Sequence, residues 1–197
     1  MSQPHKDDEL RPKLLYREHT RIVNELNRQE NWPKLRELAL EWLKDEPDSH
    51  WLLAQLSSAY YEERNYEKAL ETIEKALELA PHCPFVLWHY AGALDMLERA
   101  DEAIRVLKGL MRRGASRIAH GRCGEGIRWA RSLVNDCRYR LGLLYSRLGD
   151  RPRAEKHIRQ HVAQRGRNTP SIYSVRTVKK DLAAIKAGKR MMPADFD

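Results

Sequence analysis

Apolar residues recur along this chain at helical spacing, in short blocks separated by polar turns. The clearest pair of blocks spans residues 51–79. Within residues 51–64, Leu53, Leu56, Ala59 and Tyr60 fall three or four positions apart, on one helical face. A break follows at Arg64-Asn65. Residues 66–79 then place Ala69, Ile73, Ala76 and Leu77 on one face, while Glu67, Lys68, Glu71, Glu74, Lys75 and Glu78 take the rest. Isolated helices shorter than about 12–15 residues are marginal in water. The two apolar faces must therefore pack on each other and on further neighbours, which predicts a helical hairpin inside a larger stack.

The hairpin repeats. Pro47 and Pro81 are 34 residues apart, as are Trp32, Tyr66 and Ala100, and again Leu35, Ala69 and Ala103. A fixed period of this length marks a solenoid or array. Gly149-Asp150-Arg151-Pro152-Arg153-Ala154 is a further copy, with Ala154 lying 51 residues after Ala103, one period plus 17. The second copy shows Leu56-Ser57, Tyr60, Tyr66, Ala69, Ala76 and Pro81. The fourth shows Leu141-Gly142-Leu143-Leu144-Tyr145, Gly149-Asp150 and Ala154. On these residues the chain resembles the tetratricopeptide repeat. Ser57, Ala91 and Gly142 share one column, where a small side chain lets the two helices of a repeat approach closely. The first copy departs from the pattern, with Val23 and Trp42 where small residues are usual.

The expected fold is all-α, a right-handed superhelical array of helix-turn-helix repeats with a C-terminal capping helix. A polar tail is expected over 1–15 and an array of about four repeats over 16–168, interrupted by an insertion at 118–134. A linker and capping helix follow over 169–187 and a tail over 188–197. The cap is amphipathic, with Val175, Val178, Leu182 and Ile185 on one face. The insertion runs without a breaker into the fourth copy, which predicts one long helix from Glu125 to Arg147. His161 stands where the family usually has Ala, so the fourth hairpin is expected to pack differently at its end.

Members of this family resemble one another in binding along the concave wall built by the first helices. Carried onto this chain, that wall holds Asn24, Trp51, Ser58, Tyr61, Phe85, Trp88 and Tyr139. Its centre is aromatic, and large aromatics outside the core columns are candidate anchors for a partner. The opposing possibility is that the cap or the insertion fills the wall. Some members clamp carboxylate tails with basic residues. Here Thr20, Phe85 and His89 occupy clamp positions beside the retained Asn24, so an apolar anchor suits this groove better. The expected function is therefore a protein-interaction adaptor, whose partner is a protein or peptide, acidic in character with an apolar anchor.

Charge adds a second surface. The net charge of +8 is uneven. Residues 1–100 hold 13 Lys/Arg against 19 Asp/Glu, a balance of −6, and residues 101–197 hold 23 against 9, a balance of +14. Arg128, Arg131, Arg138, Arg140 and Arg147 form the expected basic surface. Arginine suits bidentate contacts to carboxylate or phosphate. The alternative function is therefore an RNA- or DNA-associated factor using these arginines.

Chemistry is sparse. No run reaches the ~18–20 apolar residues of a membrane span, and three cysteines fit reduced thiols in a cytoplasmic protein. His157 and His161 have a zinc-compatible i, i+4 spacing, and His120, Cys123 and Cys137 are further ligand types. Converging them needs a coincidence of packing, so no metal, cofactor or catalytic residue is expected. Gly121-Arg122-Cys123-Gly124-Glu125-Gly126 has the composition of an anion nest but lacks the lysine and hydroxyl of a phosphate loop. A redox or metal sensor, or an enzyme, built on 118–134 is the remaining alternative.

Overall fold

A computed structural model describes the backbone of residues 6–191 and the side chains of residues 16–191. The described residues form helices α1 (Lys6–Arg28), α2 (Trp32–Asp45), α3 (His50–Glu62), α4 (Tyr66–Leu79), α5 (Pro84–Met96), α6 (Ala100–Ala119), α7 (Ile127–Arg147), α8 (Arg151–Gln164) and α9 (Val175–Lys186). Each helix packs mainly on its neighbours in sequence, and α3 also packs on α5. The hairpins α1–α2, α3–α4, α5–α6 and α7–α8 therefore stack into an all-α solenoid, with α9 laid against α8 at the end. None of the described helices is long and apolar enough to cross a membrane.

The repeat of 34 residues has a backbone cause. Glu30, Arg64 and Glu98 hold the same place in successive hairpins, and each has φ near 60° (53°, 60° and 59°). Gly149, at φ 80°, takes that place in the fourth. The next residue's amide then bonds a carbonyl five residues back: Asn31 to Leu26, Asn65 to Tyr60, Arg99 to Leu94 and Asp150 to Tyr145. This closure satisfies carbonyls at the end of one helix while turning the chain into the next. Asn31, Asn65 and Asp150 also cap α2, α4 and α8, accepting the amides of Lys34, Lys68 and Arg153. Arg99 has no acceptor to offer and pairs with Glu102 at 2.7 Å instead.

The small-residue column does its expected work. The Ser57 hydroxyl donates to the Ala69 carbonyl at 2.8 Å, bridging α3 and α4. A Cβ on Gly142 would lie 2.4 Å from Ile158 Cγ1 and 3.1 Å from the Ala154 carbonyl oxygen. Gly142→Ala is therefore expected to destabilise the protein by about 1–3 kcal/mol through overpacking. Urea denaturation checks this, and an unchanged midpoint would mean that Ile158 simply moves aside.

Several boundaries differ from expectation. Helix α1 begins at Lys6, so residues 6–15 of the expected tail have helical backbone. Residues 1–5 and 192–197 of the two expected tails lie outside the described residues. Helix α7 starts at Ile127, not Glu125, because Gly126 has φ 89°. Helix α6 continues into the insertion as far as Ala119 across a break at Gly114, where φ is 72° and ψ 156°. Met191 is buried, and its amide donates to the Ser146 hydroxyl at 3.2 Å, so the chain beyond α9 returns to α7. His161 is fully buried and bonds Asn135 twice. Its Nδ1 lies 3.0 Å from the Asn135 carbonyl, and the Asn135 amide donates to the His161 carbonyl at 3.0 Å.

Candidate functional site

The first helices of the hairpins, α1, α3, α5 and α7, carry the residues expected on the concave wall. Asn24 is exposed on α1. On α3, Trp51, Ser58 and Tyr61 are half-buried. Trp51 meets Tyr16 edge-on, with centroids 5.2 Å apart, and Tyr61 meets Tyr66 at 5.5 Å. Burial pushes the Tyr61 hydroxyl up to about 12, so it stays a neutral donor. On α5, Phe85 and Trp88 are half-buried, and Phe85 meets the His89 ring edge-on at 4.5 Å. Burial, then the Arg140 charge, lowers His89 to about 4, so its imidazole is neutral at pH 7.

Helix α7 departs from expectation. Tyr139 is only 2% exposed and does not face an open groove. Its hydroxyl donates to the Asp181 carboxylate of α9, and its ring lies 4.3 Å from that of Tyr173. Burial, followed by that hydrogen bond, raises the Tyr139 hydroxyl well above its ordinary value. Arg165 holds the covering segment in place by donating to the Tyr173 carbonyl at 2.7 Å. Asp136, in the same turn of α7, is also buried and accepts the Ile172 amide at 3.2 Å. The chain's own C-terminal segment thus seals this end of the wall.

The expected basic surface also divides. Arg128 and Arg131 are exposed, and Arg128 donates to the Arg167 carbonyl at 3.3 Å. Arg138 is half-buried, donates to the Val134 carbonyl at 3.0 Å, and has its pKa lowered by burial. Arg140 and Arg147 are not surface residues. The Arg140 guanidinium lies 4.5 Å from the Trp88 ring centre and donates to the Trp88 carbonyl at 3.2 Å. It fits because Gly92 has no side chain: a Cβ there would sit 2.9 Å from an Arg140 nitrogen. Arg147 forms a buried ion pair with Asp95 of α5.

Asp181 and Tyr173 are the structuring residues that spacing alone does not single out, and Asp95, which spacing places on the wall, is buried instead. One signal exists for Asp181: it interrupts the apolar face of α9 between Val178 and Ile185, both 1% exposed. The metal-type residues sort differently from expectation as well. His157 stacks on Tyr145, and His161 is held by Asn135. Among the described residues, one set of ligand-type atoms converges, from His50, Cys83 and Cys123. Burial raises the Cys83 thiol to about 11, while burial and Arg122 lower His50.

Comparison with known proteins follows the same outline. No curated protein matches the chain significantly. Solved structures with a similar fold include MamA, at TM-score 0.53 and 17% identity, covering 73% of this chain and 74% of that one. A MamA RS-1 ArsTM double mutant scores 0.56 at 14% identity, covering 91% and 97%. A tetratricopeptide repeat protein from Parabacteroides merdae ATCC 43184 scores 0.55 at 16% identity, covering 87% of this chain and 60% of that one. Tetratricopeptide-repeat family models match residues 60–120 and residues 137–170. With the turn geometry and the small-residue column in the same registers, residues 60–120 and 137–170 are identified as tetratricopeptide repeats.

Proposed function

We propose that this protein is a non-catalytic adaptor that binds a peptide or helix of a partner on the α1–α3–α5 part of its concave wall. Repeats of this family serve as protein-interaction scaffolds in general. The observation that carries the finer reading is the division of the wall. Its C-terminal end is covered by α9, whereas Trp51, Ser58, Tyr61, Phe85 and Trp88 remain half-exposed on α3 and α5, with Asn24 exposed beside them on α1. Half-exposed aromatics on rigid helices lose little entropy on binding and supply apolar anchor contacts. The excess of basic residues lies in 101–197, outside α1, α3 and α5, so it speeds encounter with an acidic partner and does not act within the groove.

The nucleic-acid alternative loses support from the burial of Arg140 and Arg147, which spend their charge inside the fold. Salt separates the two readings. Binding built on phosphate contacts falls by about 10³–10⁵ between 50 and 200 mM salt for six to ten contacts, whereas anchor-driven peptide binding changes little.

Phe85→Ala and Ser58→Arg are expected to weaken partner binding by at least ~30-fold, the effect of losing an anchor worth about 2 kcal/mol. Glu71→Gln, on the exposed face of α4, serves as the control. Quantitative capture of a crosslinked partner, repeated with the purified pair, measures this. Equal affinity for the wild type and both groove variants would remove the groove from the function.

A further inference from the structure

His50, Cys83 and Cys123 come from three separate places in the chain. His50 is the first residue of α3, just after its cap Ser49. Cys83 is the N-terminal boundary residue of α5, where its side chain makes no capping hydrogen bond. Cys123 lies in the loop between α6 and α7 and packs among the residues around α3 and α5. The loop of the insertion therefore folds back across the starts of two first helices. There, His50 Nε2 and the two sulfurs all lie within 4.8 Å of one another.

We propose that these three side chains bind one zinc ion, which pins the 120–126 loop to the N-terminal ends of α3 and α5. The donor set fits. Zinc takes neutral imidazole and thiolate ligands, at about 2.0–2.1 Å and 2.3 Å, in tetrahedral geometry. Those bond lengths and that angle place a ligand nitrogen and a ligand sulfur about 3.6 Å apart. His50 Nε2 and Cys123 Sγ are 3.6 Å apart. A small rotation of the Cys83 side chain completes a three-ligand set, leaving the fourth position to water, as in open zinc sites. Charge balances too. Two thiolates neutralise the dication, so Arg122 nearby does not oppose the bound state.

Sequence spacing conceals this site. His50 and Cys123 are 73 residues apart, and no short ligand motif joins any two of the three. Only the stacking of α3 on α5 and the return of the insertion loop bring them together.

The test uses the full chain, reduced and stripped of metal with a chelator. Zinc is titrated in competition with a chromophoric chelator, and cobalt(II) is the spectroscopic probe. The expected result is one zinc per chain with Kd tighter than about 1 μM, and a thiolate-to-cobalt charge-transfer band in the near ultraviolet. Cys123→Ser lies in a loop and spares the helices. It is expected to weaken zinc by more than the ~10–100-fold typical of losing a merely supporting residue, and to lower that band at least by half at unchanged helicity. Cys137→Ala, in the core of α7, should bind as the wild type does. Three results would overturn the proposal: zinc affinity no tighter in wild type than in Cys123→Ser, a cobalt spectrum without the charge-transfer band, or a Cys83–Cys123 disulfide in protein that binds no zinc after reduction.

Discussion

Asp95→Ala is expected to destabilise the fold by about 3–5 kcal/mol, the cost of breaking a buried ion pair from one side. The side chains of Arg147 and Asp95 are only 8% and 6% exposed. The guanidinium also donates to the Asp95 carbonyl at 3.2 Å and to the Met191 carbonyl at 3.3 Å. One side chain thus joins α5, α7 and the segment beyond α9. Removing the carboxylate leaves a buried cation without its α5 countercharge, and that desolvation cost dominates. The double variant Asp95→Leu/Arg147→Met discriminates the cause. Replacing a buried pair with apolar residues of similar volume is often neutral or better, so the double variant should be markedly more stable than Asp95→Ala. Urea midpoints measure both. If the double variant is as unstable as the single, packing rather than charge explains the loss.

The same pair shows where sequence reading succeeds and where it stops. Helical period and turn punctuation are local, and they place the turns between the hairpins and the start of α7 to within two residues, but not the start of α1 at Lys6 or the run of α6 through Ala119. The recurrence of Glu30, Arg64 and Glu98 is local too, because a left-handed residue is required at the same step of each hairpin. Burial of charge is not local. Arg140 and Arg147 look like surface arginines in sequence, since arginine is rarely buried unless paired. Their fate depends on Gly92 and Asp95, about fifty residues earlier on a neighbouring helix. A glycine in the middle of α5 costs helix stability, and that cost was the one visible sign that another group occupies its space.

Tyr139 misled for a related reason. Its column in the repeat points to the concave wall, but the side chain is buried against Asp181 and Tyr173. The column says nothing about the segment after the last repeat, which lies across it. An open array must cover its final apolar surface, and here the cover extends from the end of α8 around to the wall itself. The sealed end and the aromatic half-exposed end are thus one design. The cap satisfies α7 and α8, and the aromatics of α3 and α5 stay only half-buried.

Asp181→Ala is accordingly expected to loosen the C-terminal end selectively, at a cost of about 1.5–3 kcal/mol for a lost hydrogen bond to a charged group. Asp181 is 4% exposed and receives the Tyr139 hydroxyl. Without it, that hydroxyl is left facing an apolar cap formed by Val178, Ile185 and Tyr173. Asp181→Asn keeps an acceptor at the same place and should lose about half as much. Tyr139→Phe strands the carboxylate instead and should cost at least as much as the alanine variant. Hydrogen exchange localises the effect. Amides of α9 should exchange faster in Asp181→Ala, while those of α3 and α4 keep their wild-type protection, because a repeat array transmits stability only between neighbours. If protection falls equally in α3 and α9, the array unfolds as one unit, and α9 is a structural end of that unit, not a cover able to open by itself. If only α9 loosens, the residues beside Tyr139 become accessible, and the proposed partner surface on α3 and α5 lengthens.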